Sequence, residues 1–173
     1  VISKSDGLRN QTFYTYDESG RLLTVREGNE ITSYQYSIDS DGNSKTITTH
    51  ANGSISSTIE DGAGRVRSTV DQGTKKNIET IYVYDDDGLL INQNQSNGSK
   101  ITYEYDNQGR TSVVNMLDRN GEKIHQTEYD YDSPGHIIAM KDYERDEDGL
   151  HPIRYTGYTY NGFDELVESW EVD

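Results

Sequence analysis

Hydrophobic and polar residues alternate along most of this chain with a period of two, the spacing of a half-buried β-strand. Leu8, Asn10, Thr12, Tyr14 and Tyr16 fall on one face of a first strand, and Leu23 and Val25 lie on the next. Thr32, Tyr34, Tyr36 and Ile38 repeat the arrangement. Between Lys45 and Val70 the pattern thins: Ile47, Ile55, Ile59, Val66 and Val70 stand among Ser and Thr, still strand-forming residues. It strengthens at Ile78, Thr80, Tyr82 and Tyr84, with Ile81 and Val83 opposite, so something is expected to cover both faces there. Ile101, Tyr103 and Tyr105 follow, then His125, Thr127, Tyr129 and Tyr131, then Thr156, Tyr158 and Tyr160.

The strands end on a recurring phrase, Tyr-Asp-x-x-Gly. Strict copies run from Tyr16-Asp17 to Gly20, Tyr84-Asp85 to Gly88, Tyr105-Asp106 to Gly109 and Tyr131-Asp132 to Gly135. Looser copies run from Ile38-Asp39 to Gly42, from Ile59-Glu60 to Gly64 with one extra residue, and from Tyr160-Asn161 with Asp164 in place of Gly. In this phrase the Asp carboxylate can accept a backbone N–H two residues on, and the Gly can take the positive φ that closes a type I turn with a bulge. Pro134 before Gly135 points instead to a type II turn in that copy. A second set of turn signals lies between the phrases: Asp6-Gly7, Glu27-Gly28, Asn52-Gly53, Gln72-Gly73, Asn97-Gly98, Asn120-Gly121 and Asp148-Gly149. Successive phrase glycines are 22, 22, 24, 21 and 26 residues apart, a repeat period.

Short turns between consecutive strands predict an all-β antiparallel meander of about fifteen strands, built from seven hairpin repeats in a single array over residues 1–173. Open sheets of more than roughly ten strands tend to coil, so a curved or spiralling sheet is expected. Residues 161–173 form a candidate cap with two signals. Phe163, Leu166, Val167 and Trp170 have helical spacing behind Asn161, whereas repeat phase places Leu166, Glu168, Trp170 and Val172 on a strand; the repeat phase favours the strand.

Composition narrows the partners. Sixteen basic residues against 31 acidic ones leave a net charge of -15, which disfavours nucleic acid and anionic membrane surfaces, and no apolar run is long enough to span a bilayer. The absence of Cys excludes disulfides and thiol chemistry. A start at Val1, without Met or a hydrophobic targeting run, is expected of a processed product or an excised fragment. With only 31% hydrophobic residues, fourteen tyrosines must supply much of the apolar area.

The phased Tyr-Asp-x-x-Gly copies resemble the YD repeats of the Rhs family, shared with toxin-complex C components and teneurins. The resemblance implies a long β-strip that spirals into a hollow shell, exported or displayed on a cell surface. It implies an architectural role without catalysis. No Pro- and Gly-rich motif of the kind that closes the shell is present, so the autoproteolytic and toxic activities of larger relatives are not carried over.

The ladder of Tyr14, Tyr16, Tyr34, Tyr36, Tyr82, Tyr84, Tyr103, Tyr105, Tyr129, Tyr131, Tyr158 and Tyr160 can pair across strands or present rings to a polypeptide or a glycan. Acidic runs at Asp39, Asp41 and Asn43, at Asp85 to Asp87, and at Asp146 and Asp148 lack the Gly and Glu spacing of a helix-loop-helix calcium site, so they read as turn formers. The residues assigned to turns are Asp17, Gly20, Asp39, Gly42, Gly64, Asp85, Gly88, Asp106, Gly109, Asp132 and Gly135. His50, His125, His136 and His151 have no metal-ligand spacing, and no nucleophile motif occurs. Neither cofactor nor metal is expected. The expected role is a secreted or surface-exposed scaffold, bacterial in origin, that presents or encloses a partner polypeptide. Two alternatives are head-to-tail assembly through terminal edge strands and glycan binding on exposed tyrosines.

Overall fold

A computed structural model describes residues 2–5, 11–73 and 77–172. The Asp6-Gly7 turn, and the Leu8 and Asn10 positions of the first strand, lie outside the described residues. The described residues form fifteen strands: β1 (Ile2–Ser5), β2 (Gln11–Tyr16), β3 (Leu22–Glu27), β4 (Glu30–Ile38), β5 (Ser44–Thr49), β6 (Ile55–Glu60), β7 (Val66–Gln72), β8 (Asn77–Tyr84), β9 (Leu90–Gln95), β10 (Lys100–Tyr105), β11 (Thr111–Leu117), β12 (Lys123–Tyr131), β13 (Ile137–Asp146), β14 (Gly149–Tyr160) and β15 (Leu166–Val172). Strand order follows chain order, from β1 at one end of a linear series to β15 at the other, so the sheet is an unclosed meander. The C-terminal segment follows the repeat phase and is a strand.

Two compact units divide the chain, residues 1–81 and residues 82–173. In the first, the thin stretch of the sequence pattern is organised by threonine. Tyr36 pairs with Thr46, Thr46 with Thr58, Thr58 with Thr69 and Thr69 with Thr80, so one row of β-branched side chains crosses four strands. Such side chains are stiff and pack well on a pleated surface, with each directly opposed pair contributing about 0.2–1 kcal/mol. Ile47, Ile55, Ile59 and Val70 fall on the other face, where Ile47 pairs with Gln35 and Ser57, and Ser57 with Val70, while Val66 sits at the bulge opposite Glu60.

In the second unit the registers place Tyr103, Tyr105, Tyr129, Tyr131, Tyr158 and Tyr160 on one face. Tyr103 pairs with Val114, Val114 with Thr127, Tyr129 with Met140 and Met140 with Thr156. The opposite face carries a polar row in which Thr102 pairs with Asn115, Asn115 with Gln126, and Gln126 with Tyr143. Asn115 is 2% exposed; its amide nitrogen donates to Thr102 Oγ1 at 3.2 Å and to Glu104 Oε1 at 3.3 Å.

Among the described residues Ala139 is the only buried hydrophobic side chain. The other buried residues include Thr80, Thr127 and Thr156, each two positions before a ladder tyrosine. The ladder tyrosines are half-buried except Tyr16, which is exposed. Each side of this single-layer sheet is therefore half-wet, as its lean hydrophobic content requires. Stability rests on cross-strand pairs and turns more than on a central core.

At the C-terminal end Gly157 of β14 faces Trp170 of β15. A Cβ at Gly157 would overlap the indole, so glycine lets the ring lie flat on the neighbouring strand. Gly157→Ala is expected to lift Trp170 away, red-shift the emission of the chain's single tryptophan, and cost about 1–2 kcal/mol in urea unfolding. Unchanged emission would contradict the packing described.

Candidate functional site

The phrase turns are built alike. At Asp17 the Gly20 N–H donates to the Asp17 carbonyl at 3.0 Å and the Asp17 N–H donates to the Arg21 carbonyl at 2.9 Å, a type I turn closed by a glycine bulge. Gly20 has φ +80°, Gly64 +77° and Gly109 +76°, which an L-residue adopts only at a cost. One carboxylate oxygen then holds the loop. Asp17 Oδ1 accepts the Ser19 N–H at 3.0 Å and the Arg21 N–H at 2.8 Å. The second oxygen takes the side chain after the glycine, with Arg21 Nε donating to Asp17 Oδ2 at 2.7 Å.

The same pair forms at Asp106, whose Oδ2 accepts Arg110 Nε at 2.7 Å, and at Asp61, whose Oδ2 accepts Arg65 Nε at 2.9 Å. Asp39 uses Asn43 and Asp132 uses His136 in that place. The third copy differs from its sequence reading. Asp61, and not Glu60, starts the turn, with Gly64 N–H donating to the Asp61 carbonyl at 2.9 Å. The apparent extra residue disappears, because Glu60 occupies the tyrosine position and pairs with Val66. In the fifth interval Pro134 has no N–H to offer Asp132 Oδ1, and Gly135 donates there instead at 2.8 Å. Gly135 has φ +111°, the widest among the phrase glycines.

Three intervening turns reuse this geometry. Gly53, Gly98 and Gly121 donate to His50, Gln95 and Asp118 carbonyls, so each Asn-Gly pair forms the second half of a four-residue turn. At Asp164, where glycine is replaced, φ is +62°, a conformation Asp tolerates better than most residues.

The cation of one turn reaches the next repeat. The Arg21 guanidinium lies 4.7 Å from the Tyr36 ring centroid, and Tyr36 donates its hydroxyl to the Leu22 carbonyl at 2.8 Å. Arg110 lies 4.6 Å from the Tyr131 centroid, and Tyr131 donates to the Thr111 carbonyl at 2.7 Å. His136 stacks on Tyr160 with centroids 4.5 Å apart, and Tyr160 donates to the Ile137 carbonyl at 3.1 Å. Tyr105 makes the corresponding bond to the Leu90 carbonyl at 2.7 Å, with Leu89 in the cation's place. Tyr36, Tyr131 and Tyr160 are thus clasped by the preceding turn, ring under a flat guanidinium or imidazole and hydroxyl on the backbone beside it, whereas Tyr105 keeps only the hydroxyl bond.

The sequence-derived groups separate accordingly. Turn residues and phrase tyrosines come together in these clasps. Tyr103, one step back on the same face, accepts Gln93 Nε2 at 2.6 Å instead. Tyr14, Tyr34, Tyr82, Tyr129 and Tyr158 hold the equivalent inner positions of their strands. Arg21, Arg65 and Arg110 carried no role in the sequence reading, although three Gly-Arg pairs at repeat phase marked the position; Asn43 had been grouped with the acidic turn residues and His136 considered only as a metal ligand.

Electrostatics favour the ionised turn. The Arg21 backbone N–H, followed by its side chain, holds Asp17 below the ordinary carboxylate range. The Arg65 and Arg110 N–H groups do the same for Asp61 and Asp106, and the Asn43 side chain does so for Asp39. At Asp132 desolvation acts upward, and the His136 hydrogen bonds with those of the turn outweigh it. Burial pushes the Tyr105 and Tyr131 hydroxyls above their usual value near 10, so they stay protonated donors at neutral pH.

A hairpin array whose turns carry a recurring Tyr-Asp phrase, with successive repeats tied at Tyr36, Tyr105, Tyr131 and Tyr160, has the build of a YD-repeat shell segment. The chain belongs to the Teneurin YD-shell family, whose model matches residues 1–115. Solved structures share the fold. A TcdB2-TccC3-Cdc42 protein superposes with a TM-score of 0.70 at 15% identity over 92% of this chain. The Tc holotoxin pore of Photorhabdus luminescens gives 0.56 at 12% identity over 97%. The chain spans 9% of the first solved chain and 13% of the second. No curated protein shows significant sequence similarity to it.

Two measurements check the clasp. In a double-mutant cycle Arg110→Leu and Tyr131→Leu, which removes the ring, are each expected to destabilise the chain by about 1 kcal/mol or more, with a non-additive coupling term; additive effects would contradict a shared clasp. Because the turn aspartates have lowered folded-state values, the unfolded chain binds more protons in acid. Their stabilisation is present above the unfolded carboxylate pKa of about 3.9 and disappears as pH falls through the folded values. The urea midpoint is therefore expected to drop between about pH 5 and pH 2, less steeply in Asp106→Asn than in wild type.

Proposed function

We propose that the chain is a stretch of one YD-repeat array, residues 1–173, serving as wall in a non-catalytic scaffold that encloses a polypeptide partner. The clasped repeat carries this reading: it fastens hairpins into a continuous sheet and commits its reactive-looking groups to structure. The Asp17, Asp61 and Asp106 carboxylates are each occupied by backbone N–H groups and an arginine, and the Tyr36, Tyr105, Tyr131 and Tyr160 hydroxyls by carbonyls. Membership of a shell family supports a wall, and the solved neighbour that joins TcdB2, TccC3 and Cdc42 supports polypeptide contents. Secretion or surface display, in a bacterium, fits the Tc holotoxin likeness and the Cys-free composition. The net charge of -15 makes nucleic acid a poor content.

Tyrosine labelling tests enclosure. Tyr103, Tyr129 and Tyr158 are half-buried and share one face of their unit, so they should be nitrated in the isolated chain and protected in the full-length natural protein. Equal labelling in both would count against an enclosed partner on that face.

A further inference from the structure

The residue after the phrase glycine is arginine at 21, 65 and 110, so those turns keep their charge at any physiological pH. At 136 it is histidine. The geometry is otherwise preserved: His136 Nδ1 lies 2.8 Å from Asp132 Oδ2, and the ring stacks on Tyr160 at 4.5 Å, as the guanidinium of Arg110 covers Tyr131. His136 Nε2 also points toward Asp164 Oδ1 in the following turn, 3.8 Å away.

We propose that this last clasp is a pH-operated joint: protonation of His136 fastens the β14–β15 hairpin to the turn before it, and deprotonation loosens it. A neutral imidazole has one N–H and can serve one carboxylate at a time. The imidazolium has two, so Asp132 and Asp164 are satisfied together and the stacked ring becomes a cation over Tyr160. The charged and titratable groups around the ring are consistent with that gain. Its own turn offers Asp132, the next offers Asp164, and Tyr160 comes from β14. From the preceding repeat, Arg110 Nη1 donates to the Asp132 carbonyl at 2.9 Å and leaves both Asp132 carboxylate oxygens free for the turn and the ring. Glu165 is turned away, accepting Asn161 Nδ2 at 2.9 Å. The turn of this hairpin is the one whose φ-positive position holds Asp164 in place of glycine, so the intrinsically weakest turn of the series receives the adjustable clasp. Histidine side chains are the ones that change charge within the range from about pH 5 to pH 8, so pH 5.5 and pH 7.8 are the two conditions compared.

Hydrogen exchange on the whole chain tests the joint, with rates at the two pH values corrected for intrinsic exchange. Protection of the Leu166–Val172 amides is expected to be about two- to fivefold higher at pH 5.5 than at pH 7.8. His136→Arg should hold the higher protection at both pH values. His151, which faces Asp146 at the opposite end of β13 and β14, is unchanged in that variant and controls for other histidines. Equal protection at both pH values in wild type overturns the proposal, as does a pH effect that survives in His136→Arg. If His136→Arg fails to fold, His136→Gln decides: low protection at both pH values supports the joint, and a retained pH effect overturns it.

Discussion

The turns of this sheet depend most on a carboxylate that is satisfied twice over, as at Asp17, Asp106 and Asp132. Its first oxygen closes the turn by accepting two backbone N–H groups, which fixes the chain reversal. Its second orients the side chain after the glycine, and in these three turns that side chain lies over the tyrosine of a later repeat. Local turn chemistry is thereby converted into a longer-range tie between hairpins. A meander without such ties has only its ladder hydrogen bonds and cross-strand pairs, and a chain this poor in hydrophobic residues has little else to offer.

The turn also explains why glycine follows three residues after the acid. The type I turn ends in a left-handed residue, and the strand after it is bulged. Tyr16 faces Leu22, whereas Thr15 faces Thr24; the same shift recurs at Tyr105, Tyr131 and Tyr160. The added residue brings the position after the cation alongside the next strand, where a tyrosine hydroxyl reaches its carbonyl. Bulge, cation and hydroxyl are parts of one arrangement, and they recur together.

Much of this was legible from spacing. Alternation gave the strands, and the Gly phase gave the turns, because both depend on one chain segment at a time. The parts that were not legible depend on pairing between segments. Asp61 was hidden because Glu60 occupies a position that other copies fill with Tyr or Ile, and the aligned acid seemed to come one residue early. Arg21 and Arg110 looked like ordinary surface charges, since nothing in a linear pattern shows a guanidinium resting on a ring fifteen or twenty-one residues later. The threonine row from Thr46 to Thr80 was invisible for the same reason: threonine is unremarkable in each strand and becomes a ladder only once three registers are known.

The two units solve the absence of a core differently. In the first, β-branched side chains of equal size repeat from strand to strand, and stiffness comes from rotamers that have little freedom to lose. In the second, large rings fill the face and are held by cations and carbonyls, which demand a defined position at every turn. The first arrangement tolerates neutral Asn43 after its glycine, and the tyrosine position of the repeat beyond that turn holds Glu60; Tyr36, on the strand before the turn, lies under Arg21 and pairs with Thr46. The second has Arg110 and His136 in succession, each over the tyrosine that follows. Because each tie joins only neighbours, a change at one turn alters the adjacent hairpin and leaves more distant ones to their own ties. A wall made this way can vary its repeats one by one, replacing a permanent cation with a titratable ring, without losing the register of the rest.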